Sequence, residues 1–342
     1  MPNRVITVDH EHPIRLVENE AGERFWERIY EELQAGRHSV DAAVYGPGEF
    51  RIANLVPQAV PNYAQFAPEF RELPIRAEVP EEDKQLKLAN EFMIGCDPEF
   101  VVLGSDGTHK NVNGLIGKRG EIGWDHDGNV VELRPKPAKS AFTLLKHLRG
   151  ILREANSLHP FKHRAGAYLE FPQKKISLGG HIHFDLPFTG NDLESRRRLL
   201  ALDELTMSLE SLDILTKNEC LKRRDYGRLK GVFGGPLNYG MFGDVRSDNG
   251  RMEYRTMASW LYSPITSFLC LTAAKLTAAF PKESIAIDLS NGVAKFFETF
   301  KEKDIDAKRV VEKILEPGLK LQRDPTLDFK TVWKTEFNQL GG

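Results

Sequence analysis

From about Phe92 onward, apolar and polar positions follow two rhythms that alternate along the chain. Alternation with a period of two predicts strands near 92–103, 129–134, 166–171, 176–186 and 251–257. Between them, Leu144, Leu145, Leu148, Ile151 and Leu152 recur at helical spacing and predict a helix over about 140–157. A longer helix is predicted from about 192 to 216, with Asn191 or Asp192 as its cap and Leu199, Leu200, Leu202, Leu205, Met207 and Leu209 as its apolar content. Further helices are predicted near 263–280, 289–302 and 305–315. Ser105-Asp106-Gly107 reads as a turn, 114–123 as a glycine-rich loop and 227–250 as irregular, glycine-rich chain.

Residues 1 to about 88 differ from the rest. Gly46-Pro47-Gly48, Pro57, Pro61, Pro68 and Pro74 break this region into turns, and Pro80-Glu81-Glu82-Asp83-Lys84 reads as a charged connector. The chain therefore divides into an N-terminal region, 1–88, and a main domain, 89–342, that ends in helices. No internal repeat or low-complexity tract interrupts it.

Composition narrows the class. The chain has 342 residues, 41% hydrophobic and 28% charged, as expected of a soluble globular protein. With 47 basic and 49 acidic residues the net charge is −2, which gives no general electrostatic reason for nucleic acid or a membrane surface as partner. Locally, Lys222-Arg223-Arg224 offers a grip for an anion. Cys96, Cys220 and Cys270 are odd in number and far apart, so they read as free thiols in a reducing compartment. No apolar run follows Met1, and the apolar stretch from 263 to 280 is interrupted and too short to span a bilayer. Cytoplasm is the expected location.

The chemistry gathers on the strands. In Gly179-Gly180-His181-Ile182-His183-Phe184-Asp185, alternation aims His181 and His183 at one face of a sheet. Asp97 and Glu99 share a face of their own strand, and Glu132 and Glu253 lie in two others. Each could be an ordinary exposed acid. If all four converge, each charge pair at about 4 Å would repel by about 4 kcal/mol at an effective dielectric of about 20. A divalent cation relieves that repulsion. Oxygen ligands suit magnesium or manganese, and histidine favours manganese or helps to position phosphate. Arg134 and Arg255 each follow a glutamate by two residues, so each shares a face with its acid as a structural salt bridge or as a polyphosphate ligand.

Other chemistries lack their signatures. Gly114-Leu115-Ile116-Gly117-Lys118-Arg119-Gly120 has neither the glycine spacing of a Walker loop nor Ser or Thr after the lysine. It reads as a flexible connection or as a basic loop able to close over a substrate. No His-Glu-x-x-His run and no serine nucleophile elbow occurs.

Taken in order, these segments resemble the carboxylate–amine ligases of the glutamine synthetase and glutamate-cysteine ligase superfamily, most closely the phage-type COOH–NH2 ligase branch. The resemblance rests on Gly95-Cys96-Asp97-Pro98-Glu99-Phe100, Val131-Glu132-Leu133-Arg134-Pro135, Gly180-His181-Ile182-His183 and Glu253-Tyr254-Arg255-Thr256. Arg223-Arg224-Asp225-Tyr226-Gly227 resembles the basic segment before the final strand. The likeness covers about residues 92–280. It implies an α+β, glutamine synthetase-like fold: a curved, largely antiparallel sheet that forms an open funnel flanked by helices. ATP would enter from one side and the carboxylate from the other.

The resemblance further implies two or three Mg2+ or Mn2+ ions on Asp97, Glu99, Glu132, His181 and Glu253, with His181 as the metal-side histidine. His183, Arg224 and Arg255 would bind the nucleotide, and Arg255, Glu253 and Arg134 would serve catalysis. The implied reaction is ATP-dependent phosphorylation of a carboxylate, followed by attack of an amine on the acyl phosphate to form an amide or peptide bond. Partners would be small-molecule or peptide carboxylates and amines, and exposed sheet edges leave self-association into a homo-oligomer open. Asp97 and Pro98 depart from the glutamates of the glutamate-cysteine ligase branch, which alters the number and spacing of metal ligands. Two readings compete. His-x-His on a strand also opens the metal site of amidohydrolases on a β/α barrel, and a ligase fold can persist as a non-catalytic binding or structural module.

Overall fold

The computed structural model describes residues 4–9, 39–46, 49–54, 91–158, 162–172, 174–188, 192–232, 239–248, 251–285, 287, 292–319 and 329–341. The proline-rich stretch after Asn54 and the charged connector lie outside the described residues. In the N-terminal region, β1 (Arg4–Asp9), β2 (Ser39–Gly46) and β3 (Glu49–Asn54) form an antiparallel sheet in the order β1-β2-β3.

The main sheet is built on β4 (Ile94–Leu103), ten residues long. Around it run β5 (His109–Lys110), β6 (Ile122–Asp125), β7 (Val130–Leu133) and β8 (Lys162–Arg164). The remaining main-sheet strands are β11 (Gly180–Pro187), β12 (Val245–Asp248) and β13 (Arg251–Tyr254), and β9 (Tyr168–Phe171) with β10 (Lys174–Ser177) makes a separate hairpin. The main order is β12-β13-β11-β4-β7-β6, with β5 and β8 also pairing on β4. Every pairing between these strands is antiparallel. The His-x-His strand thus sits in an antiparallel sheet, which removes the β/α-barrel reading.

Register fixes which side chains share a face. Glu253 lies opposite His183 and Arg246, His183 opposite Gly95, His181 opposite Asp97, and Glu99 opposite Glu132. Residues directly opposite point the same way, and so do alternate residues of one strand. One face therefore carries all four carboxylates and both histidines. The other carries Cys96, Phe100, Val131, Ile182, Phe184, Met252 and Tyr254, all buried in the core.

Helices cover that apolar face, α1 (Ala141–Leu158), α2 (Leu193–Ser211) and α4 (Pro264–Ala279), while α3 (Lys217–Val232) packs against β9 and α2. Asp192 caps α2 by accepting from the Ser195 N–H at 2.8 Å. In α4 every residue is buried, so the segment is the central core helix, with Ser263 as cap and Pro264 in its first turn. No helix among the described residues is long and apolar enough to cross a membrane. Short helices α5 (Pro281–Ile285), α6 (Ala294–Phe300) and α7 (Ile305–Val310) follow, then a π-helical turn Val311–Leu315 and α8 (Phe329–Gln339).

A buried polar knot ties these helices together. Lys275 of α4 donates to Asp304 Oδ2 at 2.7 Å. Asp304 caps α7, while Asp306 accepts from the Ala141 N–H at 2.7 Å and from Ser140 Oγ at 2.8 Å, capping α1 from outside. Trp333 Nε1 of α8 donates to the Leu261 carbonyl at 3.3 Å, and Phe337 stacks on Phe142.

Four expectations change. The strand expected over 176–186 is two, because the chain leaves β10 at Leu178 and Gly179 bridges to Ala258 instead. The helix expected to reach 216 stops at Ser211, where a positive φ at Asp213 turns the chain into α3. The stretch read as irregular from 227 contains the end of α3 and all of β12. The helix expected from 289 begins at Ala294.

Candidate active site

Two groups of metal-capable side chains line the polar face. Asp97, His183 and Glu253 each offer a ligand atom within 4.8 Å of the others, and so do Glu99, Asp125 and His126. The first group comes from β4, β11 and β13 in register. The second takes Glu99 from β4, Asp125 from the end of β6 and His126 from the β6–β7 turn, where His126 and Asp127 hold left-handed φ values of 48° and 56°. Such a conformation costs a non-glycine residue of order 1 kcal/mol or more, and here it carries both side chains to a cavity wall.

Each group opens on its own cavity. A cavity of about 330 Å³ is lined by Glu99, His126, Lys174, Tyr226, Tyr239 and Arg255, among others. A second, of about 370 Å³, is lined by Asp97, Arg134, His183, Asp185, Arg251 and Glu253, among others. They share no lining residue. His181 stands between the groups, with Nδ1 3.4 Å from Asp97 Oδ1 and Nε2 3.2 Å from the Tyr239 hydroxyl. His183 Nε2 lies 3.0 Å from the same Asp97 oxygen.

Arg255 projects beside the acids, with Nε 3.5 Å from Glu253 Oε1 and Nη1 3.7 Å from Asp244 Oδ1. Arg246 Nε pairs with the other Glu253 oxygen at 2.5 Å. Behind the strand, Arg223 donates to the Thr256 carbonyl at 2.5 Å and to that of Arg255 at 3.2 Å. Asp203 accepts from the Tyr254 and Thr256 hydroxyls, so the backbone on both sides of Arg255 is anchored.

Electrostatics show how crowded the carboxylates are. Burial raises the Glu99 carboxyl, outweighing the pull of His181 and of the Gly179 N–H that donates to it at 2.6 Å. Burial, and then the Asp97 charge, push Glu132 up to about 9. Arg134 contacts Glu132 and pulls the other way, but its side chain is 37% exposed, so solvent screens it more than the buried acids. For Asp97, burial is outweighed by the two histidine rings, which hold it well below the usual carboxylate range. For His183, burial is outweighed by Asp97, which raises it. Asp97 Oδ1 is buried and receives no well-aligned hydrogen bond. Crowded acids, such an oxygen and a hard O/N donor set fit a divalent cation such as Mg2+ or Mn2+.

The expected residues separate into roles. His183, not His181, belongs to the group with Asp97 and Glu253, which reverses the division expected of the two histidines; both ring nitrogens of His181 already face partners. Glu132 shares the polar face but turns its carboxylate onto Arg134 and joins neither group. Arg224, expected at the nucleotide, instead makes a buried bidentate pair with Glu210 at 2.8 and 2.7 Å and covers Phe242. Its charge is spent inside the protein. Asp125, His126, Tyr239 and Asp244 were missed. For the first two the signal is Asp125-His126-Asp127-Gly128-Asn129, a polar turn between two short apolar runs.

Residues 94–303 match the family described as phage phiEco32-like COOH.NH2 ligase-type 2. The chain belongs to that family. Both candidate metal groups lie inside the matched span. No curated protein sequence matches the chain. Among solved structures, a bifunctional glutathione synthetase from Pasteurella multocida is similar at 14% identity and a TM-score of 0.38, covering 76% of this chain and 53% of its own. The chain thus spans about half the length of that protein, and a likeness so distant says nothing about its activity.

Proposed function

We propose that this chain joins a carboxylate to an amine by first phosphorylating the carboxylate with ATP, on a sheet of glutamine synthetase type. One observation carries the reading: two cavities with no shared lining residue face the same row of carboxylates from its two ends. Two substrates can then meet across that row without sharing an entrance.

The larger concentration of lysines, with Tyr226 and Arg255, marks the first cavity for the nucleotide. The second suits the acceptor: Arg134 and Arg251 offer guanidinium groups to a carboxylate, and Asp185, 3.0 Å from Arg251, offers negative charge to an amine. Divalent cations held by Asp97, His183 and Glu253, and by Glu99, Asp125 and His126, would neutralise phosphate charge and polarise the transferred group. The chain's own residues do the rest. The acceptor's carboxylate oxygen attacks the terminal phosphorus and ADP leaves; Arg255, seated between Glu253 and Asp244, is aimed where negative charge collects during that transfer. The amine then attacks the acyl carbon and phosphate departs, with Arg134 beside the leaving group.

The test uses the full chain with pooled carboxylates and amines in Mg2+ or Mn2+. The expected result is ADP release that requires both substrates, with a product whose mass equals their sum less water. Amide hydrolysis without ATP would favour a hydrolase, and nucleotide binding without turnover would favour a binding module.

A further inference from the structure

We propose that Tyr239 is a positioning residue that joins the two carboxylate–histidine groups, holding His181 between them as a spacer and seating Arg255 beside them. The inference rests on the ligase reading, but its decisive readout does not require turnover.

Four contacts meet at this one side chain. Its hydroxyl lies 3.2 Å from His181 Nε2 and 3.4 Å from Glu99 Oε2. Because His181 Nδ1 faces the Asp97 carboxylate, an acceptor, the network assigns the ring proton to Nδ1, and Nε2 and Glu99 Oε2 both accept from the single phenol proton in a three-centre bond. The sequence of contacts runs Asp97, His181, Tyr239, Glu99, and its ends belong to different groups. With Nδ1 facing Asp97 and Nε2 engaged by the phenol, His181 keeps its lone pair from either cation site, so it sets the distance between the groups.

The ring does a second task. Arg255 and Arg223 lie over it, with guanidinium carbons 5.0 and 5.1 Å from the ring centroid, within cation–π range. Arg223 is 1% exposed and holds the backbone carbonyls of Arg255 and Thr256, so ring, buried arginine and strand end form one unit. Gly240 makes the approach feasible. Its φ is +73°, and a Cβ there would stand 2.5 Å from Arg223 Cζ. Its N–H donates to Asp244 Oδ2 at 2.6 Å, and the other oxygen of Asp244 faces Arg255. A shift of the Tyr239 hydroxyl therefore moves His181 and Glu99, whereas a shift of its ring moves Arg255.

Two substitutions separate the tasks. Tyr239→Phe removes the hydroxyl and keeps the ring; Tyr239→Leu removes both. The first readout is 15N-imidazole NMR of the metal-free, histidine-labelled full chain, with His181→Asn used to assign the resonances. In wild type, Nε2 of His181 should show hydrogen-bond acceptance, and in Tyr239→Phe it should move to the value of a free imidazole nitrogen. The second readout is steady-state ADP release. Tyr239→Phe should lower kcat by about tenfold, the cost of one lost hydrogen bond, with the KM for ATP within about twofold. Tyr239→Leu should also raise that KM. An unchanged Nε2 resonance overturns the proposal, as does a moved resonance with unchanged kcat. If no substrate pair supports turnover, the ligase reading fails while the NMR outcome still decides whether Tyr239 holds His181.

Discussion

Arg255→Lys is expected to lower kcat by about a hundredfold while the KM for ATP changes by less than tenfold. The side chain is held on three sides, by Glu253, by Asp244 and by the Tyr239 ring, and is 23% exposed. Lysine keeps the charge but is compact and tetrahedral, and it lacks the planar fork that meets two phosphate oxygens at once. Charge spreads over the equatorial oxygens mainly during transfer, so the lost donors are felt most in the transition state. Initial rates over a matrix of ATP and acceptor concentrations, with circular dichroism to verify folding, check this. An unchanged kcat would assign Arg255 to structure.

Asp97→Asn is expected to weaken Mn2+ binding by about a hundredfold or more and to abolish measurable turnover. Loss of a residue that merely orients a metal ligand costs about 10–100-fold in affinity, and Asp97 is itself proposed as a ligand, in a group able to hold an ion. Asparagine has nearly the same shape, but the buried charge facing both histidines disappears. Titration of the metal-free protein followed by electron paramagnetic resonance of free Mn2+ measures the loss directly. Wild-type affinity in the variant would remove Asp97 from the metal site.

The strands bearing the carboxylates were legible because each alternates against a buried partner surface. β4, β7, β11 and β13 begin within four residues of the positions predicted. The division at Leu178 and Gly179 was not legible. Alternation continues straight through it, and only tertiary partners reveal it: the Glu99 N–H bonds the Gly179 carbonyl at 2.9 Å, across the sheet. α3 escaped for a different reason. Its described side chains include two arginines whose partners are Glu210 on α2 and carbonyls at the end of β13, so its stabilising contacts leave no apolar period in its own sequence. The basic character of Arg223 and Arg224 was visible, but not that both charges turn inward.

At the site, parity put His181 and His183 on one face correctly. Which of them meets Glu253 depends on the register of β11 against β13, and no local signal encodes register between strands some seventy positions apart. Glu132 shows the same limit. Its position opposite Glu99 follows from alternation and pairing, whereas its turn onto Arg134 depends on the rotamers of both side chains.

The buried knot of Lys275, Asp304 and Asp306 bears on where this chain can be cut. The family match ends at residue 303, one position before the first of its two acids. A recombinant fragment trimmed to that boundary would strand the Lys275 ammonium, 2% exposed, inside α4 without its counter-charges, a defect that typically costs about 3–5 kcal/mol. It would also uncap α1, whose first N–H groups rely on Asp306. Removing α8 would further uncover Phe142 and the Leu261 carbonyl. A fragment that keeps these contacts must therefore extend at least through Gln339, some thirty-six residues beyond the span by which the family is recognised.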